Sequence, residues 1–167
     1  MTDPLNLHPH RLKLALLQPS IAPNTGNIAR VCVASGSELH LVRPLGFVLS
    51  DKNLRRSAMD YWPRLRLTVH DDSDTFLNFV RRDGSPFWLF STKGVRSLWQ
   101  TRFTGGDWLI FGGETTGISA DILRGHPDRV IRIPQSPGER CLNLSTAAAI
   151  ALFESLRQIQ PDTIQHP

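Results

Sequence analysis

Residues 133–154 read IPQSPGERCLNLSTAAAIALFE, and this stretch decides the fold. Its first residue closes a short apolar run, residues 130–133, which has the character of a buried strand. The chain breaks at Pro134 and again at Pro137-Gly138. It then becomes an alanine-rich helix carrying Ala147, Ala148, Ala149 and Ala151 beside Ile150, Leu152 and Phe153. Alanine is the strongest helix former, and its small side chain lets another backbone come close. Glu139, Arg140, Cys141, Asn143 and Ser145 gather where the loop feeds the helix. The first backbone N–H groups of a helix lack partners within it, so this junction is a natural place to hold a polar ligand.

Working outward, the same alternation of strand and helix fills the chain. Residues 12–17 read as a buried strand. SIAPNTGNIAR, residues 20–30, reads as a loop that opens a helix reaching about Gly36, with Arg30 in its first turn or so. Strands are expected at 38–42, 66–70, 87–91 and 108–111, and helices at 51–59, 71–82 and 119–123. The 71–82 segment has Asp residues in its first turn and Arg81-Arg82 in its last, the polarity that complements a helix dipole. Strands alternating with helices predict an α/β fold, a mostly parallel sheet with helices on both faces. Residues 12–159 form one expected domain, between a flexible N-terminal tail, 1–11, and a C-terminal tail, 160–167.

At 167 residues the chain is long enough for one domain with a substantial core. No apolar run approaches the ~20 residues that span a bilayer, and the first residues, MTDPLNLHPHR, lack the apolar stretch of a secretory signal. Cys32 and Cys141 make no disulfide framework, so a cytoplasmic location is expected. His8 and His10 alone do not specify a metal site, and no metal is expected. The formal net charge is +4, and apart from Lys13, Lys52 and Lys93 the basic residues are all arginine. Arginine grips phosphate with a planar fork, which points to nucleic acid; codon usage in a GC-rich genome produces the same bias.

In open α/β sheets, ligands bind beyond the carboxyl ends of the strands, where three loops concentrate polar residues. The first holds Asn24, Asn27 and Arg30. A cation in a first helical turn is disfavoured by the dipole, which invites a functional explanation for Arg30 beside that of a solvent-facing side chain. The second, GGETTG at 112–117, has Glu114 as its only charge, and its glycines allow close approach to the backbone. It is neither a Walker phosphate loop nor a dinucleotide fingerprint. The third contains Cys141, read as a ligand-lining thiol in preference to a nucleophile, because no histidine base is placed beside it.

Together these loops resemble the SPOUT-class RNA 2′-O-ribose methyltransferases of the SpoU/TrmH group, nearest to its compact TrmL-type tRNA enzymes. The resemblance covers residues 12–158 and rests on NTGNIAR (24–30), FGGETTG (111–117), and IRIP (131–134) followed by CLNLS (141–145). LRRSAMDYW, residues 54–62, has the family's look as well. The resemblance implies a C-terminal deep trefoil knot, S-adenosyl-L-methionine as methyl donor, and a homodimer. It places the cofactor against Phe90, Gly112, Ile133, Cys141 and Leu142. The functional polar residues fall on Asn24, Arg30, Glu114 and Asn143. Cys141 departs from the serine usual there, which weakens any contact that needs a hydroxyl.

The activity so implied is methyl transfer to a ribose 2′-hydroxyl of tRNA, at the wobble nucleotide (cytidine or modified uridine at position 34). The alternatives are a SpoU-type enzyme acting on ribosomal RNA or another tRNA position, and an RNA-binding module without catalysis. A cysteine hydrolase built on Cys141 lacks a base.

Overall fold

The computed structural model describes residues 7–49 and 59–160. Seven strands, β1 (Lys13–Leu17), β2 (Glu38–Val42), β3 (Leu67–His70), β4 (Phe87–Phe90), β5 (Arg96–Ser97), β6 (Trp108–Gly112) and β7 (Val130–Arg132), form one sheet. Its order is β3-β2-β1-β6-β4-β7-β5 and every pairing is parallel. Among the described residues four α-helices cover it: α1 (Ala22–Ser35), α2 (Ser73–Asp83), α3 (Ala120–Gly125) and α4 (Leu144–Ile159). The expected helix at 51–59 lies outside the described residues except for Met59, which begins a 3-10 helix, Met59–Arg64.

All five residues of β1, Lys-Leu-Ala-Leu-Leu, are buried. Both faces of a central parallel strand are covered, so its sequence is nearly continuous in apolar residues. Leu14 and Leu16 face one cluster, with Ile28, Ala29 and Cys32 of α1 and Ala148, Ala151, Leu152 and Leu156 of α4. Ala15 and Leu17 face the other, with Phe76 and Val80 of α2 and Leu123 of α3. The helices thus sit two on each face. The alanines of α4 let it pack closely on the sheet and on α1.

Helix α1 begins earlier than its sequence suggested. It starts at Ala22, so Asn24, Thr25, Gly26 and Asn27 are helical and Arg30 lies in the third turn. Pro23 fits the first turn, where its missing N–H costs nothing. Ile21 offers no side-chain cap, and the Glu114 carboxylate, distant in sequence, holds the two residues before the helix by accepting the Ser20 and Ile21 N–H groups. The dipole argument for Arg30 therefore falls away, because the dipole acts only within the first and last turns.

The first and last described segments are tied together. The His8 backbone N–H donates to Gln160 Oε1 and the Gln160 side-chain amide donates to His8 O, each at 2.9 Å. The Arg11 N–H donates to Gly105 O at 2.6 Å. Gln160, placed by its sequence in a tail, is only 4% exposed.

Strand β5 was not foreseen, being two residues long with no hydrophobic pattern. β7 lies between it and β4: Phe90 and Arg96 pair with Ile131 from opposite sides. The connection at 91–95 must cross β7, and it does so closely. A Cβ added to Gly94 would stand 2.5 Å from the Ile131 carbonyl carbon.

Candidate active site

At the carboxyl ends of β4, β6 and β7 the surface sinks into a cavity of about 460 Å³. Its walls come from the residues after β4 (Ser91, Thr92, Lys93), the glycine loop after β6, and the chain between β7 and α4. Phe90, Gly112, Ile133, Cys141, Leu142, Asn24, Glu114 and Asn143 all line it. Of the site residues expected from the sequence only Arg30 stands elsewhere. It is exposed on α1, with its guanidinium 4.9 Å from the centroid of the Tyr61 ring.

The glycine loop is tight for a specific reason. A Cβ on Gly112 would lie 1.9 Å from the carbonyl carbon of Gly117, and one on Gly113 would lie 2.4 Å from Gln18 O. Neither position admits a side chain, so bare backbone faces the cavity beside the stacked rings of Phe90 and Phe111, 4.5 Å apart.

A directed chain of hydrogen bonds crosses the rim. Asn143 caps α4, its Oδ1 accepting from the N–H groups of Ser145 at 2.9 Å and Thr146 at 3.3 Å. Its oxygen being so engaged, its Nδ2 donates to Asn24 Oδ1 at 3.0 Å. That oxygen occupied, Asn24 Nδ2 donates to Glu114 Oε1 at 3.0 Å. Glu114 also accepts from Ser20 N–H at 2.8 Å, Ser20 Oγ at 3.0 Å and Ile21 N–H at 3.3 Å. Burial pushes the Glu114 carboxyl up, but bonds from the Ser20 backbone, the Asn24 amide and the Ser20 hydroxyl outweigh it and hold the group below its ordinary value. Every donor points at the carboxylate, so it stays ionised.

Cys141 is exposed and stands two residues before the α4 cap, outside the helix. It lines the cavity, and no histidine does. Cys32 is fully buried, and its thiol is pushed up to about 12 by desolvation. Ser20, Lys93 and Gln135 are site residues the sequence did not single out. Ser20 is the one with a signal, lying one residue short of the helix-cap position, where serine is favoured. Among the described residues no group of three or more His, Cys, Asp or Glu could hold a metal, and no helix is long and apolar enough to cross a membrane.

Residues 11–153 match the profile of the SpoU rRNA Methylase family. The chain belongs to that family. Among its relatives a tRNA (cytidine(34)-2′-O)-methyltransferase of Burkholderia ambifaria is 42% identical over 144 residues, covering 86% of this chain and 92% of that protein. A solved structure described as "Structural insights into the 2-OH methylation of C/U34 on tRNA" is 42% identical, with a TM-score of 0.86, covering 90% of this chain and 97% of that one. An AdoMet-bound rRNA methyltransferase from Sinorhizobium meliloti shares the fold alone, with a TM-score of 0.81 at 22% identity, covering 93% of this chain and 60% of that one. The SpoU profile thus spans β1 to most of α4, including every residue of the cavity.

Proposed function

We propose that this SpoU-family protein transfers a methyl group from S-adenosyl-L-methionine to the ribose 2′-hydroxyl of the wobble nucleotide, position 34, of tRNA, a cytidine or modified uridine. The directed chain Asn143–Asn24–Glu114 on the rim of one cavity carries this reading, together with the near full-length likeness to enzymes named for that reaction.

The cavity suits the cofactor in size and chemistry. Its volume falls within the range of small-molecule sites. It joins apolar walls, for an adenine ring and a thioether chain, to bare glycine backbone and polar side chains, for the ribose and amino-acid ends. Phe90, Gly112, Ile133, Cys141 and Leu142 would hold it. Bound there, the cofactor supplies an activated methyl on a sulfonium.

What remains for the protein is alignment and proton handling. Glu114 already accepts four hydrogen bonds and is held ionised below its ordinary value, so it is a weak base. Its part is to lock the start of α1 to the glycine loop, with Asn24 and Asn143 completing the brace. Arg30 stands outside the cavity, exposed on α1. It holds an RNA phosphate or the developing alkoxide, and the hydroxyl proton leaves to water or a phosphate oxygen of the RNA.

Three further features belong to this reading. Residues 12–159 act as one methyltransferase unit with a C-terminal trefoil knot, for which the tight crossing of residues 91–95 over β7 is the support. The protein works as a homodimer, supported by Ile150 and Phe153 of α4, 39% and 51% exposed on the helix that packs against α1. Its tRNA substrate places it in the cytoplasm.

The test is incubation of the purified protein with labelled S-adenosyl-L-methionine and tRNA, followed by nucleoside mapping. Label in 2′-O-methylated nucleotide 34 is the expected result. Label at another position, or none, overturns the reading.

A further inference from the structure

The β5 edge of the sheet carries charge and aromatic surface that the methyl-transfer site does not use. Trp88 of β4 is buried, and its indole N–H donates to Asp107 Oδ2 at 2.8 Å. Asp107 is itself fully buried and also accepts from the Thr104 hydroxyl. Two guanidiniums lie over the Trp88 ring, Arg96 at 5.9 Å and Arg129 at 5.3 Å. Arg129 also lies 5.6 Å from the Phe87 ring. Both distances to Trp88 fall within the cation–π range of about 6 Å.

Neither arginine forms an ion pair among the described residues. Asp107 holds the edge of the Trp88 ring and accepts from Thr104, and Asp83 pairs with Lys13. Two guanidiniums therefore share the face of one ring without an ion pair of their own among the described residues. Arg129 continues into a shallow cavity of about 270 Å³ whose wall adds Arg81.

Three residues after Arg96 comes Trp99, 73% exposed, on a segment that also carries Val95, 92% exposed, and the exposed Arg102. Large aromatic side chains are mostly buried. Trp99 is nevertheless not loosely held. Its backbone is fixed by a reciprocal cap between Ser97 and Gln100, by the Thr101 hydroxyl donating to Ser97 O at 2.9 Å, and by Leu98, which is 1% exposed. Its ring meets no other ring or cation among the described residues. The segment starts near the cofactor cavity, because Lys93 on the cavity wall precedes Arg96 by three residues.

We propose that the β5 edge is a track for the RNA strand flanking the target nucleotide, with Arg96 and Arg129 on its phosphates and Trp99 stacked on one base. A fixed, exposed aromatic ring on the same edge segment as guanidiniums without an ion pair is the composition that binds single-stranded nucleic acid. A protein partner would need carboxylates to meet these arginines, whereas a nucleic acid brings phosphate and base together. The inference rests on the RNA substrate of the proposed function and adds where that RNA lies.

The experiment is steady-state methylation of tRNA by the full chain and its W99A, W99F, R96Q and R129Q variants, with calorimetric cofactor binding and sedimentation alongside. W99A is expected to raise KM for tRNA about tenfold, the loss of one stacked base, with kcat within twofold and cofactor affinity unchanged. W99F retains a π-face and restores most of the KM. R96Q and R129Q each lower the salt slope of tRNA binding by about one. A wild-type KM in W99A overturns the inference while leaving the methyl-transfer reading intact. A changed oligomeric state in W99A overturns it in favour of a surface between copies of this chain. Wild-type protein that methylates no tRNA overturns both.

Discussion

Asn24 and Glu114, ninety positions apart in sequence, meet through a 3.0 Å hydrogen bond from the asparagine amide to the carboxylate. The bond joins the first turn of α1 to the glycine loop after β6. It also sets the sense of the whole rim network, because each amide oxygen upstream is already occupied. The same carboxylate ties down the entry to α1, accepting the backbone N–H groups of Ser20 and Ile21.

The first prediction concerns that carboxylate. Glu114→Gln replaces an acceptor-only group by one that carries donors, so at least one bond in the network turns repulsive. The group is partly exposed, so the cost at neutral pH is on the order of 1 kcal/mol, at the low end for hydrogen bonds to charged groups. The folded-state pKa lies below the unfolded value. The stabilisation is therefore present above the ordinary carboxylate range and is lost as pH falls through the folded value. Urea titrations of both proteins at pH 7 and near pH 3 check this: the gap between them narrows in acid. A constant gap would show that the charge of Glu114 contributes nothing.

A second pH response comes from the far end of the sheet. His40 Nδ1 lies 3.0 Å from His70 Nε2, with Lys13, Asp83, Trp108, Phe76 and Phe79 around the pair. His40 Nε2 has no hydrogen-bond partner, and Glu38 Oε2 stands 3.6 Å away, too far for one. Burial, then His70, then Lys13 lower His40 from 6.5 to about 3, while burial lowers His70 against the pull of Asp71. Below pH 6.5 the unfolded chain binds protons that the folded chain refuses. Stability is thus complete above that pH and falls as pH drops toward 3, by up to about 1.4 kcal/mol per pH unit for His40, with His70 acting in the same direction. Thermal unfolding between pH 7.5 and 5 should show the decline, and His40→Leu should flatten it.

Cys141→Ser restores the residue usual in the resembling family. Cys141 is exposed on the cavity wall, outside α4 and with no histidine lining the same cavity. Methylation and cofactor affinity should stay within about tenfold of wild type, or ~1.4 kcal/mol. Complete loss of activity in a folded variant would make the thiol a nucleophile.

Much of this architecture was legible because it rests on local rules. β2 coincides with its expected range, and α2 follows its Asp72 cap and terminal arginines as the dipole rule requires. The cavity was legible in part through motifs: the glycine loop and the chain between β7 and α4 line it together with Asn24, whereas Ser91, Thr92 and Lys93 after β4 belong to none of the motifs. What escaped was non-local. The start of α1 depends on a carboxylate from another loop, and no window around Ser20 contains it. β5 exists only because β7 lies beside it. The two guanidiniums over Trp88 come from segments more than thirty residues apart, so no spacing rule could pair them.

Arg30 supplies the last prediction. It lies in the third turn of α1, exposed, outside the cavity, with its guanidinium against Tyr61. Asn24, six residues earlier on the same helix, lines the cavity and belongs to the rim network. On the proposed function the two side chains therefore have different tasks, Asn24 bracing the site and the outward-facing Arg30 meeting the RNA. Arg30→Ala should leave the fold and the affinity for S-adenosyl-L-methionine nearly unchanged. Loss of a contact to developing charge commonly costs on the order of 10²–10³ in rate, and single-turnover methylation of saturating tRNA should fall by that factor. Arg30→Lys should recover only part of it, because an ammonium cannot reproduce the planar fork or its stacking on a ring. Calorimetry of cofactor binding on the same samples separates the two tasks. A wild-type methylation rate in Arg30→Ala, or a loss of cofactor binding, would remove Arg30 from the RNA chemistry.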